Sequence, residues 1–281
     1  MDTRRFRDGV DLSILGFGGM VLVGMEQDAC DRIVAGAVTA GVNYFDVAPA
    51  YGDGEAEIKM GIALAPFRDQ VFLACKTFER RAAGAARDLE RSLERLRTDR
   101  FDLYQFHAVV KQSEVDRIFA AGGAVEAVVR AREQGKIRFV GFSAHSAEAA
   151  LAMMERMDFD SILLPVNYVL FAKSPAWVEV LGRSVQLGVA RLALKSMALR
   201  PWRRDEERIY PNCWYRPIDD PVLARQGLRF ALSENITSLI PPGDPRLFRM
   251  ALDMARELTP MTGSERAALL ESARSLAPIL K

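Results

Sequence analysis

Short apolar runs alternate with segments of helical spacing along the chain, and this alternation limits the possible fold more than any other feature. The runs are as long as strands buried on both faces; they are residues 14–20, 44–47, 71–75, 101–106, 139–143, 162–166, 192–194 and 238–240. Leu89, Leu93 and Leu96 illustrate the helical spacing between runs. Eight strands alternating with helices predict a (β/α)₈ TIM barrel, with residues 1–281 forming a single domain.

A doubly wound open sheet is the alternative that the same alternation permits. Such a sheet normally carries a glycine-rich phosphate loop between its first strand and its first helix. The glycine-rich residues 16–19 are followed by the apolar residues 20–23 rather than by a helical segment, so that context is missing. Glycines also follow helical segments where a C-terminal cap is expected, at Gly41, Gly135 and Gly188. The barrel is therefore the predicted fold.

Charge and cysteine content argue against several classes of protein. The 38 Lys and Arg nearly balance the 37 Asp and Glu. Proteins that bind nucleic acids or membrane surfaces need an excess of basic residues to meet the phosphates, so the charge balance argues against both classes. No apolar run has membrane-spanning length, and residues 1–9 show no secretory signal. Cys30, Cys75 and Cys213 lack the spacing of a disulfide framework, a zinc site or an iron–sulfur cluster. We expect a cytoplasmic protein without a metal, and the sequence does not indicate its oligomeric state.

Polar residues follow three consecutive predicted strands, at the end of the barrel where active sites lie. Asp46 stands near the end of the second run, Lys76 follows the third and His107 follows the fourth, while Tyr51 lies on the loop after the second. Each has an ordinary explanation when taken singly, such as a helix N-cap for the aspartate or a solvated strand end for the lysine. Their coincidence at one rim, in a chain with 2 histidines, favours a joint catalytic function.

These residue types suit the reduction of a carbonyl group. A phenol is a weak acid, and a neighbouring ammonium is expected to lower the pKa of Tyr51 so that its proton passes to a developing alkoxide. Asp46 would hold the charge of a buried Lys76, and the imidazole of His107 would orient the carbonyl oxygen. Because no side chain supplies hydride, the chemistry requires a nicotinamide cofactor.

The residues around this set resemble the aldo-keto reductase superfamily. Residues 43–52, NYFDVAPAYG, are similar to the family's signature around its catalytic Asp and Tyr, and residues 103–107, LYQFH, to its strand-four segment. Lys76 follows Tyr51 by 25 residues and His107 follows Lys76 by 31, which matches the rest of the family's tetrad. The resemblance implies a (β/α)₈ barrel, NADP(H) or NAD(H) bound without a Rossmann unit, and reversible reduction of aldehydes or ketones to alcohols.

The resemblance also implies a set of cofactor contacts. Besides Asp46 they would come from Gly19, Met20, Ser143, Asn167, Lys195, Ser196, Gly243, Arg249 and Asp253. Relatives have Asn after the strand-five Ser143, whereas this chain has Ala144 and then His145, which either replaces the missing amide or begins the next helix. Asn167 stands near a position where relatives often have Gln. Lys195 stands where many relatives have an aromatic residue, and it either approaches the pyrophosphate or is a solvated strand-end lysine.

The residues after the eighth run bear on which nicotinamide is used. Arg249 aligns with an arginine that relatives use for the 2′-phosphate, and Asp253 lies near the pair that contacts adenine. Asp244 departs from the family pattern, since a carboxylate there would oppose a 2′-phosphate or accept the ribose hydroxyls of NAD(H). The balance favours NADP(H) over NAD(H).

Residues 199–221 have no strong period and are rich in aromatic side chains. Their place after the seventh run predicts a lid over a small carbonyl substrate, with Trp202 and Trp214 as walls and with Tyr51 and His107 also contacting the substrate. A packed surface excursion is the alternative.

Two other functions fit parts of the pattern. Some members of the superfamily are channel-associated modules that retain the cofactor, so a nucleotide-sensing or regulatory subunit with little turnover is the alternative to an enzyme. A Schiff-base aldolase that uses Lys76 would be a different barrel enzyme. The complete set of four residues weighs against both.

Overall fold

The computed structural model describes residues 1–280. The strands are β1 (Thr3–Arg7), β2 (Val10–Ser13), β3 (Phe17–Gly18), β4 (Tyr44–Asp46), β5 (Phe72–Thr77), β6 (Phe101–Val109), β7 (Ile137–Ala144), β8 (Ser161–Pro165), β9 (Ala190–Leu194), β10 (Ala198–Pro201), β11 (Tyr215–Pro217) and β12 (Ser238–Ile240). The helices are α1 (Gln27–Thr39), α2 (Glu55–Leu64), α3 (Ala82–Arg95), α4 (Gln112–Phe119), α5 (Ala124–Glu133), α6 (Ala147–Met154), α7 (Tyr168–Lys173), α8 (Pro175–Gln186), α9 (Pro221–Ser233), α10 (Pro245–Ala255) and α11 (Gly263–Ser272).

Eight of the strands form one parallel sheet in the order β12, β9, β8, β7, β6, β5, β4, β3. The sheet curls until its two edges meet, since Leu15, just before β3, forms a parallel bridge with Leu239 of β12. The amide of Gly16 donates to the carbonyl oxygen of Leu239 at 2.8 Å, and the amide of Leu239 donates to that of Ile14 at 3.0 Å. The predicted (β/α)₈ barrel is confirmed, and each of the eight predicted apolar runs contributes one of its strands.

Glycines end the helices at the expected places. Gly41, Gly135 and Gly188 follow α1, α5 and α8 with φ of 90°, 76° and 67°. Glycine adopts this left-handed conformation without strain, so the helix can stop and the chain can turn back towards the next strand. None of the helices within residues 1–280 combines the length and the apolar character needed to cross a membrane.

An N-terminal hairpin, which the sequence analysis missed, closes the amino-terminal end of the barrel. Strands β1 and β2 are antiparallel and are joined by Asp8 and Gly9, whose φ values of 45° and 82° fit a tight hairpin turn. Phe6 of β1 packs edge-on against Phe72 and Phe139 inside the barrel, with 5.1 and 5.3 Å between ring centroids. The Asp-Gly pair between two short strands is the signal that could have predicted this hairpin.

Two segments differ in detail from the expectations. The first predicted strand, residues 14–20, is reduced to the short β3, because a 3₁₀ turn over Gly19–Leu22 follows it directly. Residues 199–221, expected to be a loop, contain the antiparallel pair of β10 and β11. That the chain forms a single domain over residues 1–281 stays a prediction.

Candidate active site

A cavity of about 390 Å³ opens at the carboxyl ends of the barrel strands. Asp46, Lys76 and His107 line it from the ends of β4, β5 and β6. Tyr51 lines the same cavity from the 3₁₀ turn Tyr51–Gly54 that follows β4. The structure therefore brings together all four side chains that the sequence analysis singled out.

Asp46 and Lys76 form an ion pair that is closed off from solvent. Nζ of Lys76 donates to Oδ1 of Asp46 and, at 3.2 Å, to the carbonyl oxygen of Val47. Oδ2 of Asp46 accepts from the hydroxyl of Tyr44 and the side-chain amide of Gln105, both at 3.1 Å, and neither of these donors was predicted. Burial alone would lower the pKa of Lys76, but the charges and hydrogen bonds of Asp46 and Tyr51 together outweigh burial and raise that pKa above its ordinary value. Lys76 is thus held as a cation.

The hydroxyl of Tyr51 lies 3.3 Å from Nζ of Lys76, and the same ammonium lies over the phenol ring, 5.0 Å from its centroid. Burial raises the pKa of Tyr51, and the positive charge of Lys76 opposes this shift without reversing it. The expectation that the ammonium lowers the pKa of Tyr51 below its ordinary value is therefore wrong in its net direction, because desolvation of the phenolate is the larger effect. The phenol keeps its proton at neutral pH, as a proton donor must.

The imidazole of His107 stacks on Phe78, with 4.0 Å between ring centroids and 24° between the ring planes. It also meets the ring of Tyr51 edge-on at 5.8 Å. Arg80 holds the backbone at this point, since its guanidinium donates to the carbonyl oxygen of His107 at 2.7 Å. Nδ1 of His107 is buried and has no hydrogen-bond partner in the part of the chain that the structure describes. The ring is fixed in place but retains unused hydrogen-bonding capacity.

A sequence model of the Aldo/keto reductase family matches residues 14–209, a range that includes Asp46, Tyr51, Lys76 and His107. The chain belongs to the aldo/keto reductase family. Its curated relatives are matched over only part of their length, for example 58%, 46% and 62% of three of them.

One curated relative and two solved structures illustrate what the chain is similar to. The chain is 28% identical over 185 residues to the uncharacterized oxidoreductase YqkF of Bacillus subtilis, which covers 61% of this chain and 58% of that protein. The fold is similar to that of the aldo-keto reductase AKR11C1 from Bacillus halodurans in its holo form, with a TM-score of 0.77 and 23% identity over 99% of this chain and 98% of that one. An aldo/keto reductase from Klebsiella pneumoniae in complex with NADP and acetate gives a TM-score of 0.75 and 22% identity over 99% and 98% of the two chains. At such identities the structural likeness shows the fold alone.

Both histidines of this aldo/keto reductase are neutral at neutral pH. Burial, with the charge of Lys76 adding to it, lowers the pKa of His107 well below its ordinary value. Burial and the nearby Lys195 lower the pKa of His145 to about 4. In the unfolded chain each imidazole would take up a proton near its ordinary pKa of about 6.5. We therefore expect the free energy of unfolding to fall as the pH drops from about 6.5 to about 4, because the unfolded state binds protons first.

Urea unfolding of the reductase and of its His145→Asn variant across this pH range measures that contribution. The variant should lose less stability on acidification than the parent, since it has one fewer group that the folded state keeps neutral. The same slope in both proteins, or an imidazole NMR resonance that titrates above pH 6.5, would contradict the assignment of neutral buried histidines.

Three predicted cofactor contacts of the reductase lie where backbone segments approach closely. A Cβ at Gly243 would come within 2.4 Å of Cβ of Met20, and one at Gly19 within 2.8 Å of the Val47 side chain. Met20 and Gly243 both line the cavity. Only glycine fits these approaches, so the turn after β3 and the residues before α10 can together form one wall.

Two predicted serine contacts differ in their surroundings. Ser143 lines the cavity, and its hydroxyl accepts from the amide of Ala108 at 2.7 Å. The hydroxyl of Ser196 is buried and has no hydrogen-bond partner among residues 1–280. The roles of Ser143 and Ser196 as cofactor contacts stay predictions.

The side-chain amide of Asn167 is fully engaged within the protein. Its Oδ1 caps α7 by accepting from the amides of Val169 and Leu170 at 3.0 and 3.1 Å. Its Nδ2 donates to the carbonyl oxygens of Lys195 and Ala198 at 3.0 and 2.7 Å. The geometry gives Asn167 a structural role, which is to hold the turn after β9; its contact with a nicotinamide stays a prediction.

A second cavity, of about 670 Å³, lies along α10. Arg225, Arg246 and Arg249 line it together with the predicted Asp253. Asp244 caps α10 and accepts from both the amide and the guanidinium of Arg246, at 2.9 to 3.0 Å. The carboxylate expected to oppose a 2′-phosphate is thus paired with a cation that the sequence analysis did not single out.

Residues 199–221 cover one side of the first cavity of the reductase. Trp214 and Tyr215 line that cavity, whereas the structure places Trp202 outside its lining. The indole of Trp202 instead donates to the carbonyl oxygen of Cys213 at 2.7 Å, and this hydrogen bond joins two parts of the segment 199–221. The side-chain amide of Asn212 ties the segment to two carbonyl oxygens around the turn after β3, at 3.2 and 3.0 Å.

Proposed function

We propose that this aldo/keto reductase reduces an aldehyde or a ketone to an alcohol with a nicotinamide cofactor and with Tyr51 as the proton donor. The observation that carries the proposal is the Tyr51 hydroxyl, 3.3 Å from the ammonium of Lys76 in a cavity that also contains the imidazole of His107. A Schiff-base aldolase would need Lys76 as an uncharged nucleophile, and the raised pKa of Lys76 argues against that.

Each residue of the tetrad has a distinct task in this proposal. Tyr51 gives its phenolic proton to the carbonyl oxygen as negative charge develops there. Lys76 stabilises the phenolate that remains, and Asp46 keeps Lys76 charged. The neutral imidazole of His107 donates a hydrogen bond to the same carbonyl oxygen and so orients the substrate. A bound nicotinamide supplies the hydride that reaches the carbonyl carbon.

The residues present fit a dinucleotide. The linings of the two cavities come within two residues of each other at the start of α10, since Gly243 lines the first and Pro245 the second. The N-terminus of α10, with Arg246 and Arg249 beside it, favours phosphate groups. On this proposal the residues around Tyr51 would hold the nicotinamide end, and Arg246 and Arg249 would hold the adenosine phosphate end. The Klebsiella pneumoniae structure in complex with NADP supports NADP(H) as the cofactor.

The test is to titrate the protein with NADPH and NADH by fluorescence and then to screen carbonyl compounds for oxidation of the cofactor that binds. Aldehydes, ketones and dicarbonyls should all be included, and turnover of at least one class is expected. Tight cofactor binding without turnover would favour the regulatory subunit. A substrate adduct trapped on Lys76 by borohydride would favour the aldolase.

Cofactor preference is expected to depend on Arg249. Arg249→Ala should weaken binding of NADPH about tenfold more than binding of NADH, because the guanidinium would pair with the 2′-phosphate that NADH lacks. Dissociation constants from fluorescence titration measure the difference. Equal weakening of both cofactors would show that Arg249 serves structure or the adenine.

Asp244→Ser is the matched variant. Serine preserves an N-cap for α10 but releases the guanidinium of Arg246, to which Asp244 is now paired. We expect a further shift of preference towards NADPH.

A cytoplasmic location remains a prediction.

A further inference from the structure

Lys195 places an ammonium in the same cavity as Tyr51 and His107. Its Nζ lies over the rings of Trp214 and Tyr215, 4.8 Å from each centroid. Cation–π contacts with two rings fix the position of the charge, although they do not neutralise it. Lys195 is therefore not the freely solvated strand-end lysine that the sequence allowed.

The backbone of Lys195 is held in a conformation that residues other than glycine rarely adopt. Its φ is 70°, and its carbonyl oxygen accepts from Nδ2 of Asn167 at 3.0 Å and from the amide of Ala198 at 2.9 Å. Such strain persists only where surrounding contacts impose it, and it is concentrated at functional sites. The fold therefore directs this side chain into the cavity.

No carboxylate within the described part of the chain, residues 1–280, pairs with the ammonium of Lys195. Asp46 is the one carboxylate among the described residues that line the cavity, and it is paired with Lys76. Burial lowers the pKa of Lys195 to about 8, Cys213 partly offsets this, and Lys76 lowers it further. The group still carries its proton through most of the neutral range, so the cavity presents a partly buried positive charge with no counter-ion among residues 1–280.

We propose that Lys195 binds a carboxylate of the substrate, so that the preferred substrates are aldehydes or ketones bearing an anionic group. This inference rests on the proposed reductase activity. A charge-assisted hydrogen bond between the ammonium and the carboxylate would supply the missing counter-ion and would hold the carbonyl group near Tyr51. The aromatic walls formed by Trp214 and Tyr215 would cover the apolar part of the same molecule.

A phosphate of the cofactor is the other anion that Lys195 could meet. The surroundings favour the substrate, because the ammonium is close enough to His107 and His145 to lower the pKa of both imidazoles. It faces the tetrad side of the cavity, whereas Arg246 and Arg249 line the separate cavity beside α10. The experiment below distinguishes the two sources.

The experiment compares substrates that differ only in charge: the ortho, meta and para carboxybenzaldehydes and their methyl esters. We expect kcat/KM for the best acid to exceed that for its ester by about tenfold or more, the size of a charge-assisted contact. Lys195→Met should erase this preference mainly by raising KM for the acid, and Lys195→Arg should retain part of it. Lys136→Met is the matched control, since it removes a lysine just before β7, at the opposite end of the barrel, and should leave the preference intact.

Benzoate binding gives a readout that does not depend on turnover. Trp214 is in contact with Lys195, so benzoate should change the tryptophan fluorescence, with an affinity about tenfold weaker in Lys195→Met.

Equal rates for acid and ester, or a preference that survives in Lys195→Met, would overturn the inference and leave the proposed reductase activity unaffected. Weaker NADPH binding in Lys195→Met with an unaltered acid-to-ester ratio would assign the anion to the cofactor and overturn it too. If no carbonyl compound is reduced but benzoate still binds through Lys195, the proposed function fails and the anion site remains.

Discussion

Tyr51→Phe should reduce carbonyl turnover by about 10²–10⁴-fold, the range over which a general acid typically contributes. The substitution removes only the hydroxyl that lies 3.3 Å from Nζ of Lys76. The ring and its edge-on contact with His107 at 5.8 Å can remain, as can the ion pair behind it. Steady-state kcat/KM for the best carbonyl substrate measures the loss.

Cofactor binding is the control for Tyr51→Phe. NADPH should bind the variant about as tightly as the parent, because the phenolic oxygen is assigned to the substrate carbonyl. A variant that retains near-parental turnover would remove Tyr51 from the role of proton donor. A variant that no longer binds cofactor would show a structural role for the hydroxyl instead.

Lys76→Met should be at least as damaging to turnover and should also destabilise the fold. Burial already raises the pKa of Tyr51, and Lys76 is the cation that opposes this shift, so without it the phenol gives up its proton even less readily. The variant also leaves the buried carboxylate of Asp46 without its cation. Removing one partner of a buried ion pair typically costs about 3–5 kcal/mol of the free energy of unfolding. Urea unfolding and kcat/KM measured on the same preparation give both quantities.

The double variant Asp46→Asn with Lys76→Met separates the two effects. It removes both charges, so most of the stability lost in Lys76→Met should return while turnover stays low. Asn at position 46 can still use its oxygen to accept from Tyr44 and Gln105, which now donate to Asp46. If Lys76→Met alone changes neither the rate nor its pH profile, Lys76 is not the cation that assists Tyr51.

The barrel and the members of its tetrad could be predicted because both follow from position along the chain. Strands buried on both faces need continuous apolar runs, and parallel strands all end at the same rim. A residue at or just after the end of such a run, such as Asp46, Lys76 or His107, is therefore placed at that rim before any contact is known. The hairpin β1–β2 was also predictable in principle, because its Asp-Gly turn is a local signal that does not depend on hydrophobic period.

The surroundings of the site could not be read in this way, since they depend on residues far apart in sequence. Phe78 stacks on His107. Arg246 forms an ion pair with Asp244, whose carboxylate was expected to have no cationic partner. In the segment 199–221, which has no period to indicate which side faces inward, the structure places Trp214 at the cavity and Trp202 outside its lining.

The sequence by itself determined the alternation of strands and helices, the barrel and the four side chains at its carboxyl end, because a strand-end position is a local property. Tertiary structure alone decided the electrostatics of the site. Burial overrides the effect of Lys76 on the pKa of Tyr51, and the ammonium of Lys195 has aromatic neighbours in place of a carboxylate. The physical reason is that a desolvation cost and a Coulomb interaction depend on distances across the folded molecule, which the order of residues along the chain does not specify.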